Sequence, residues 1–427
     1  MHWGDLHGTI GKDNEAQITV IKPVKILILW SGAVVPSYRQ FFLELARHMR
    51  VRVLSPRRWT HGSKSFAVGQ PPGAGDAGEG PETGETRGTG DSRRNGDWSA
   101  VHSASSDQGC EIVPVAFLPE HSARYWVPSL AFHLWTFRPR YLYIMDEMDR
   151  PSLFWHALSA RLLWPPVRVI NYALQNLPAP GYYRWHHRLA TRLNQLLVSR
   201  SIAASKEADD VLKANGYRKP TRVIPLWGSE AFFFPGEPAA IREFRHSQGI
   251  ADSDTLIVYA GSMVEAKGLK LLRDALPRFP RLRVVSAGNG PLGQSLPEGS
   301  QGQWIHLGAL AAGDLRSLYQ AGDYVILPSI TRADWKEQIG RSLIEGILCG
   351  CVALGSDSGH IPQLTLIPSA TFRQNDAASL AGMLAGLPLP APEAAAVREA
   401  QARNVRERFT ASAVARETFA FLAEAGA

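Results

Sequence analysis

The sequence predicts an α/β protein built as two domains, each around a parallel sheet. Three observations predict it. At 427 residues the chain is longer than one ordinary core accommodates. Short, continuous apolar runs, such as residues 24–30 and 256–261, read as strands buried on both faces. Amphipathic runs at helical spacing separate them, and the alternation starts afresh after Gly228. Strand–helix alternation is the pattern of a doubly wound sheet.

The totals narrow the class. Hydrophobic content of 45% and charged content of 20% suit a globular protein. No apolar run reaches the ~18 residues of a membrane span. The first 22 residues carry charges throughout and do not read as a secretory signal. Three cysteines, Cys110, Cys349 and Cys351, make no disulfide framework and suit a reducing cytoplasm. No His/Cys cluster has metal-ligand spacing, so no metal is expected. The net charge is +7, and residues 112–200 hold ten Arg and no Lys against four acids. A basic face suits nucleic acid, an anionic membrane or an acidic substrate. No nucleic-acid module is present, so nucleic acid is not an expected partner.

In the first domain, residues 24–30 are the first expected strand, with Ser31, Gly32 and Ala33 in a tight turn after it. Residues 37–49 place Phe41, Phe42, Leu45 and Ala46 on one side of a helix. Residues 51–56 are the second strand. This βαβ opening lacks Gly-x-Gly-x-x-Gly, which disfavours a nicotinamide oxidoreductase. Residues 62–97 hold ten Gly and three Pro and almost no large apolar side chain. Such a segment cannot bury enough surface to offset its ordering entropy and reads as a disordered insertion. Strands are expected at 141–145, ending at Asp146-Glu147, and at 167–172, ending near Gln175-Asn176. Residues 152–163 between them read as a helix. Residues 182–200 read as a helix with Arg184, Arg188, Arg192, Arg200 and no acid. Two readings stand: a helix packed on the core with a solvated basic side, or one lying on an anionic membrane.

In the second domain, Lys267-Gly268 lies between the strand at 256–261 and a helix, well placed for a phosphate. The strand at 282–287 leads into Gly288-Asn289-Gly290-Pro291, whose glycines allow close backbone approach. Residues 323–350 concentrate the chemistry. An apolar strand stops at Pro328-Ser329, a polar loop carries Glu337, and Leu343, Ile344, Ile347 and Leu348 recur at helical spacing after Gly340. The N–H groups of Gln338, Ile339, Gly340 and Arg341 are expected at the positive end of the helix dipole, where a phosphate can sit. Glu337 and Glu345 flank that site. Acceptors for hydroxyls beside donors for an anion suit a phosphorylated sugar. Taken alone, the two carboxylates also fit a residue that complements the dipole and a solvated helix position. His360 reads as structural, and residues 393–426 as helical.

Glu337 and Glu345, separated by seven residues, after Pro328-Ser329 and before Gly350, closely resemble the E-x7-E signature of family 4 retaining glycosyltransferases. The resemblance continues through residues 202–205, residues 222–228, Phe234-Pro235, Lys267-Gly268, the Gly288 turn, residues 358–362 and residues 406–410. It implies a GT-B fold: two Rossmann-like domains whose parallel sheets face across a cleft, with the C-terminal helix crossing back onto the first domain. On that plan residues 1–23 are a tail, 24–228 the acceptor-side domain, 229–409 the donor domain and 410–427 the returning helix.

The resemblance also implies an activity. A sugar moves, with retention, from a nucleoside-diphosphate sugar to a glycan or lipid-linked acceptor, as in polysaccharide biosynthesis. No cofactor or metal is required, and the setting is the cytoplasm or the inner face of a membrane, with residues 182–200 as the membrane contact. By carry-over, Glu345 holds the ribose hydroxyls and Glu337 the donor-sugar hydroxyls. Lys267, Ile339 and Gly340 stabilise the diphosphate. Gly261, Ser262, Gly288, Gly290, Leu310, Gln338 and Arg341 complete the donor side, with Leu310 near the nucleobase. Ser31, Gly32, Tyr38, Gln175 and Asn176 form the acceptor side. Two departures stand out. Ser262 occupies the place of an expected Arg, leaving Arg332 and Arg341 as candidate replacements. Gln175-Asn176 stand about where many relatives carry His, and an amide is no general base near neutral pH. A front-face displacement, commonly proposed for this family, lets the leaving phosphate oxygen take the acceptor proton and needs no such base. The departures keep a second reading open: a catalytically inactive nucleotide-sugar-binding or scaffold protein on the same fold.

Overall fold

Apolar runs flanked by amphipathic ones fold here as central parallel strands covered by helices on both faces. The computed structural model describes residues 23–61, 64–67, 109–119, 125–178, 184–293, 295–298, 300 and 302–424. In chain order the first domain holds β1 (Lys25–Leu29), α1 (Gln40–Ala46), β2 (Arg50–Pro56), β3 (Arg58–His61), β4 (Lys64–Ala67), β5 (Cys110–Val115) and α2 (Leu130–Phe137). It continues with β6 (Tyr141–Ile144), α3 (Pro151–Leu163), β7 (Arg168–Ala173), α4 (Trp185–Leu197), β8 (Arg200–Ala203), α5 (Lys206–Ala214) and β9 (Thr221–Val223). Then follow α6 (Pro238–Ser247), β10 (Thr255–Ala260), α7 (Leu269–Ala275), β11 (Leu282–Ala287), β12 (Trp304–His306), α8 (Ala312–Ala321) and β13 (Tyr324–Leu327). The chain ends with α9 (Arg341–Leu348), β14 (Val352–Ser356), β15 (Thr371–Phe372), α10 (Ala377–Ala385), α11 (Ala391–Arg408) and α12 (Ala411–Ala423).

The first sheet runs β5-β2-β1-β6-β7-β8-β9 and the second β12-β11-β10-β13-β14-β15, with every pair parallel. In each, the strand order reverses direction once, at β1/β6 and at β10/β13. Ligands of such sheets bind beyond the carboxyl ends of the strands at that reversal. The loops after β1, β6, β10 and β13 therefore border the places where a ligand can sit.

The last helix returns to the first domain, as the resemblance implies. Tyr141 donates its hydroxyl proton to the Leu422 carbonyl at 2.7 Å, Arg200 donates to the Phe421 carbonyl at 2.7 Å, and Arg222 pairs with Glu417 and Glu424. The expected continuous helix over 393–426 is corrected to α11 and α12. Thr410 interrupts it, because its hydroxyl accepts the N–H of Ala413 as an N-cap. The Glu230 carboxylate accepts the N–H groups of Ala411 and Ser412 at 2.9 and 3.0 Å, which also favours a helix start there.

Three further expectations change. The helix over 37–49 is shorter: Pro36–Tyr38 is a 3₁₀ turn, and α1 starts at Gln40. The helix over 182–200 ends at Leu197, because the N–H of Ser199 is taken by the Val169 carbonyl at 2.7 Å and Arg200 opens β8. Disorder from residue 62 is corrected at β4, which pairs antiparallel with β3, His61 opposite Lys64. The sequence carried a signal there, since a Gly-Ser pair between two short runs is a composition that hairpin turns favour. Residues 68–97 of that insertion and residues 1–22 of the tail lie outside the described residues. Cys110, Cys349 and Cys351 are buried, free thiols.

Candidate functional site

The loops beyond β10, β11 and β12 are sewn into one wall by their own backbones. Gly261 donates to Ala287 at 2.9 Å, Gly288 to Gly308 at 2.7 Å and Met263 to Asn289 at 2.8 Å. Gly288 has φ +139°, and a Cβ there would lie 1.8 Å from the Gly261 carbonyl oxygen. No side chain fits, so the wall presents bare backbone to the cleft. Gly290 is confined in the same way by the Met263 carbonyl, at 2.5 Å. Leu310, two residues beyond Gly308, packs partly buried against the hydrophobic core. Ser262 is exposed, and its carbonyl accepts the Tyr259 hydroxyl at 2.8 Å.

The β10/β13 reversal brings Lys267 and Glu337 together. Lys267 precedes α7 in the loop after β10, and Glu337 sits in the loop after β13. Their charged groups are 2.7 Å apart, and the Ser329 hydroxyl donates to the same Glu337 oxygen at 2.7 Å. Glu337 is 7% exposed. The Lys267 ammonium also stands 4.7 Å over the Trp335 ring, a cation–π contact that holds it above the loop. Gly359, with φ +54°, fixes this loop from behind, since a Cβ there would meet the Glu337 carbonyl oxygen at 1.9 Å.

One turn into α9, Glu345 is buried and pairs with Arg341 at 3.0 Å, while the Tyr319 hydroxyl donates to it at 3.3 Å. A solvated position for Glu345 is thereby overturned. Burial pushes its carboxyl above the ordinary range, and the Arg341 guanidinium pulls it back. Arg341 reaches across the cleft, 3.9 Å over the Tyr38 ring and donating to Ser37 at 3.0 Å. Arg332, half exposed, lies 4.0 Å from Glu265 in the loop that carries Ser262. Of the two candidate replacements for the missing cation, Arg332 stands beside the loop of Ser262 and Arg341 is turned to the first domain. Gly340 is the N-cap of α9, with φ +68°. The first helical N–H thus belongs to Arg341, and Gln338 and Ile339 lie ahead of the helix. Gln338 instead donates to the Leu174 carbonyl at 3.1 Å, and Ile339 is buried.

The first domain meets this site through the loops after β1 and β7. Ser31 and Gly32 follow β1, and a Cβ on Gly32 would strike the Trp30 ring at 2.5 Å. Asn176 donates to the Glu337 carbonyl at 3.2 Å, and Gln175 donates to Leu177 at 3.0 Å. Under them lies a group that the sequence reading left without a role. Glu147, beyond β6 at the β1/β6 reversal, accepts the N–H groups of Leu174 and Gln175 at 2.9 and 3.3 Å. It anchors the loop that touches Glu337. Ser329, Trp335, Tyr319 and Gly359 were also unassigned. For Gly359 the signal was its Gly-rich turn; for the others no local pattern marks them.

Burial, reinforced by the Asp149 charge, pushes the Glu147 carboxyl up to about 8. Burial raises Asp146 to about 6, although the Ser152 hydroxyl donates to it. Between the ordinary carboxylate range and pH 8 the folded protein holds a proton on Glu147 that the unfolded chain has lost. Folding then takes up a proton, and stability falls as pH rises through that window. Glu147→Gln keeps a carbonyl acceptor and cannot ionise. We expect urea midpoints of the wild type to fall relative to those of Glu147→Gln between pH 6 and 8, the difference isolating this carboxyl from the buried histidines that both proteins share.

Among the described residues, no group of three or more His, Cys, Asp or Glu could hold a metal ion. Among them, too, no helix is long and apolar enough to cross a membrane.

Comparison with known proteins agrees with the fold. Residues 240–396 match the family model for "Glycosyl transferases group 1". An uncharacterized glycosyltransferase of Methanocaldococcus jannaschii is 26% identical over 129 residues, a match covering 28% of this chain and 32% of the relative. The chain thus spans about a third of the length of that curated relative. Among solved structures, Anabaena HepE in complex with UDP and glucose is similar at 16% identity and TM-score 0.66, covering 94% of this chain and 100% of that one. Sucrose-phosphate synthase from Thermosynechococcus elongatus is similar at 15% identity and TM-score 0.67, covering 94% and 99%. WaaG, a glycosyltransferase involved in lipopolysaccharide biosynthesis, is similar at 12% identity and TM-score 0.56, covering 92% and 98%. At these identities the likeness establishes the fold, which is GT-B.

Proposed function

From the GT-B fold and the group 1 match of residues 240–396, we propose that this protein is a retaining glycosyltransferase that uses a nucleoside-diphosphate sugar. One observation carries the reading. Glu337, eight residues before Glu345, is bonded to Lys267 and Ser329 at the strand-order reversal of the second sheet. A carboxylate acceptor and an ammonium, side by side under a wall of bare backbone, suit a sugar hydroxyl next to a diphosphate. In this reading Glu345 takes the ribose hydroxyls and Glu337 those of the sugar. Lys267 and the backbone at Ile339 and Gly340 meet the charge that grows on the departing diphosphate. That is electrostatic stabilisation of a leaving group, and it asks for no metal or cofactor. The leaving phosphate oxygen takes the acceptor proton, so Gln175 and Asn176 need only orient the acceptor. The acceptor is a glycan or a lipid-linked glycan. Because HepE was solved with UDP and glucose, a uridine nucleotide is the first donor class to try.

Calorimetric titration of UDP, GDP and ADP into wild type and Glu345→Ala tests the donor site. One nucleotide binds the wild type, and the variant weakens it by at least about tenfold, ~1.4 kcal/mol. Equal binding in both proteins would remove Glu345 from the site. A second reading, a nucleotide-sugar binder without turnover, is favoured by the exposed Ser262 in the place of an expected Arg. Donor binding with no transfer to any acceptor would select it.

A further inference from the structure

We propose that the outer face formed by α2, α3 and α4 is a docking surface for an anionic lipid bilayer. These helices lie side by side on one face of the first sheet. Leu130, Leu134, Leu153, Ala157 and Leu197 join the same hydrophobic cluster as Leu27, Leu142 and Val169 of the strands. Each helix buries one side against the sheet, so the opposite sides all look outward together. Those outward sides are apolar. Phe132 and Trp135 of α2 are 63% and 69% exposed, and Trp155 and Leu162 of α3 are 54% and 70%. On α4, Trp185 and Leu196 are 75% and 73% exposed, with Leu189 between them. Trp185, Leu189 and Leu196 fall within about 40° of one another on a helix of ~100° per residue.

Single exposed apolar residues are ordinary, but contiguous patches mark interaction sites. Eight of the thirteen large apolar side chains exposed among the described residues sit on these three helices. The second domain, of similar size and built by the same rules, exposes only Phe234 and Leu366 among its described residues, so the patch is not a general property of the fold.

Charge selects the occupant. The three helices contain no Asp or Glu, and Arg138, Arg140, Arg184, Arg188 and Arg192 on and beside them are exposed. The nearby acids do not offset them at the surface: Glu111, exposed beside α2, is neutralised by its pair with Arg52, Asp149 is buried, and Asp146 and Glu147 are engaged by Ser152 and by the loop after β7. Tryptophans with leucines beneath a fringe of arginines match a headgroup layer, where indole rings sit at the boundary and guanidinium groups meet lipid phosphates. The helix α4 is thus one third of a wider surface. Trp155 and Trp185 lie near the starts of α3 and α4, the ends next to the loops after β6 and β7, of which the second meets Glu337 and is anchored by the first. A bilayer bound here runs beside the acceptor side of the cleft.

The test is co-sedimentation of the full chain with vesicles. One set is phosphatidylcholine alone, and the other is equal parts phosphatidylcholine and phosphatidylglycerol. The expected result is binding to the anionic vesicles only, with the bound fraction falling as salt is raised. The triple variant Trp135→Ser/Trp155→Ser/Trp185→Ser lowers partitioning at least tenfold. Arg188→Gln/Arg192→Gln lowers it by a smaller factor and weakens its salt dependence. Both variants keep the wild-type thermal midpoint and nucleotide affinity, because none of these side chains is in the core or the donor site. Absence of wild-type binding, or a triple variant that binds as well as wild type, overturns the proposal. So does a wild-type dimer in sedimentation velocity that the triple variant abolishes, since the face then joins two copies of the chain.

Discussion

Glu337→Gln lowers kcat by roughly 10²-fold or more, while nucleotide affinity changes by less than about threefold, the pattern of an interaction made chiefly in the transition state. The geometry explains the asymmetry. The carboxylate is nearly out of water and meets Lys267 and the Ser329 hydroxyl, both at 2.7 Å. Glutamine keeps the shape and an oxygen for Ser329. It cannot balance the Lys267 ammonium, and it is a weaker acceptor for a hydroxyl as charge develops. In the proposed reading the nucleotide is held elsewhere, by Glu345 and the glycine wall, so its affinity is spared. Lys267→Ala lowers kcat by a comparable factor and also weakens binding of the diphosphate. Steady-state kinetics with calorimetry on the same preparations separates the two quantities. Unchanged turnover in Glu337→Gln would exclude the carboxylate from the reaction.

Gly359→Ala is expected to cost about 1–3 kcal/mol of stability and to lower turnover as well. The added Cβ would lie 1.9 Å from the Glu337 carbonyl oxygen, at a φ of +54°. Something must move, and the Glu337 loop is what it meets. Strain by itself would explain a stability loss, so Gly350→Ala serves as the comparison. Gly350 has φ +102°, but a Cβ there meets nothing within 4 Å. That variant loses stability and keeps its turnover. Urea denaturation and kcat, measured on both, decide the matter. If the two variants lose turnover equally, Gly359 does not position Glu337.

The sequence by itself determined the period and order of the elements. Apolar runs such as β10 and β13 are uninterrupted because both their faces are covered, and that requirement is local enough to read. The same holds for Glu337 and Glu345, whose separation is a fact of the chain; the returning helix followed only from the resemblance, since nothing in its own pattern says where it packs. Other features depend on pairing partners far away in sequence. Residues 182–200 carry a helical pattern throughout, yet the Val169 carbonyl claims Ser199 and the helix stops. Residues 393–426 also carry one, yet Glu230 and Gly228 meet the backbone at Ala411 and divide it.

Burial was likewise beyond the chain's reach. Whether Glu345 faced water or Arg341 could not be told from spacing, since both positions lie on one amphipathic helix. Glu147 had no visible role until the strand order placed the loops after β6 and β7 side by side. Gly359 gained its meaning only when the second sheet brought it against Glu337. The outward direction of Trp135, Trp155 and Trp185 depended on which side each helix spent on the sheet. Hydrophobic pattern is written residue by residue, whereas the facing of one element toward another is decided only when both are packed.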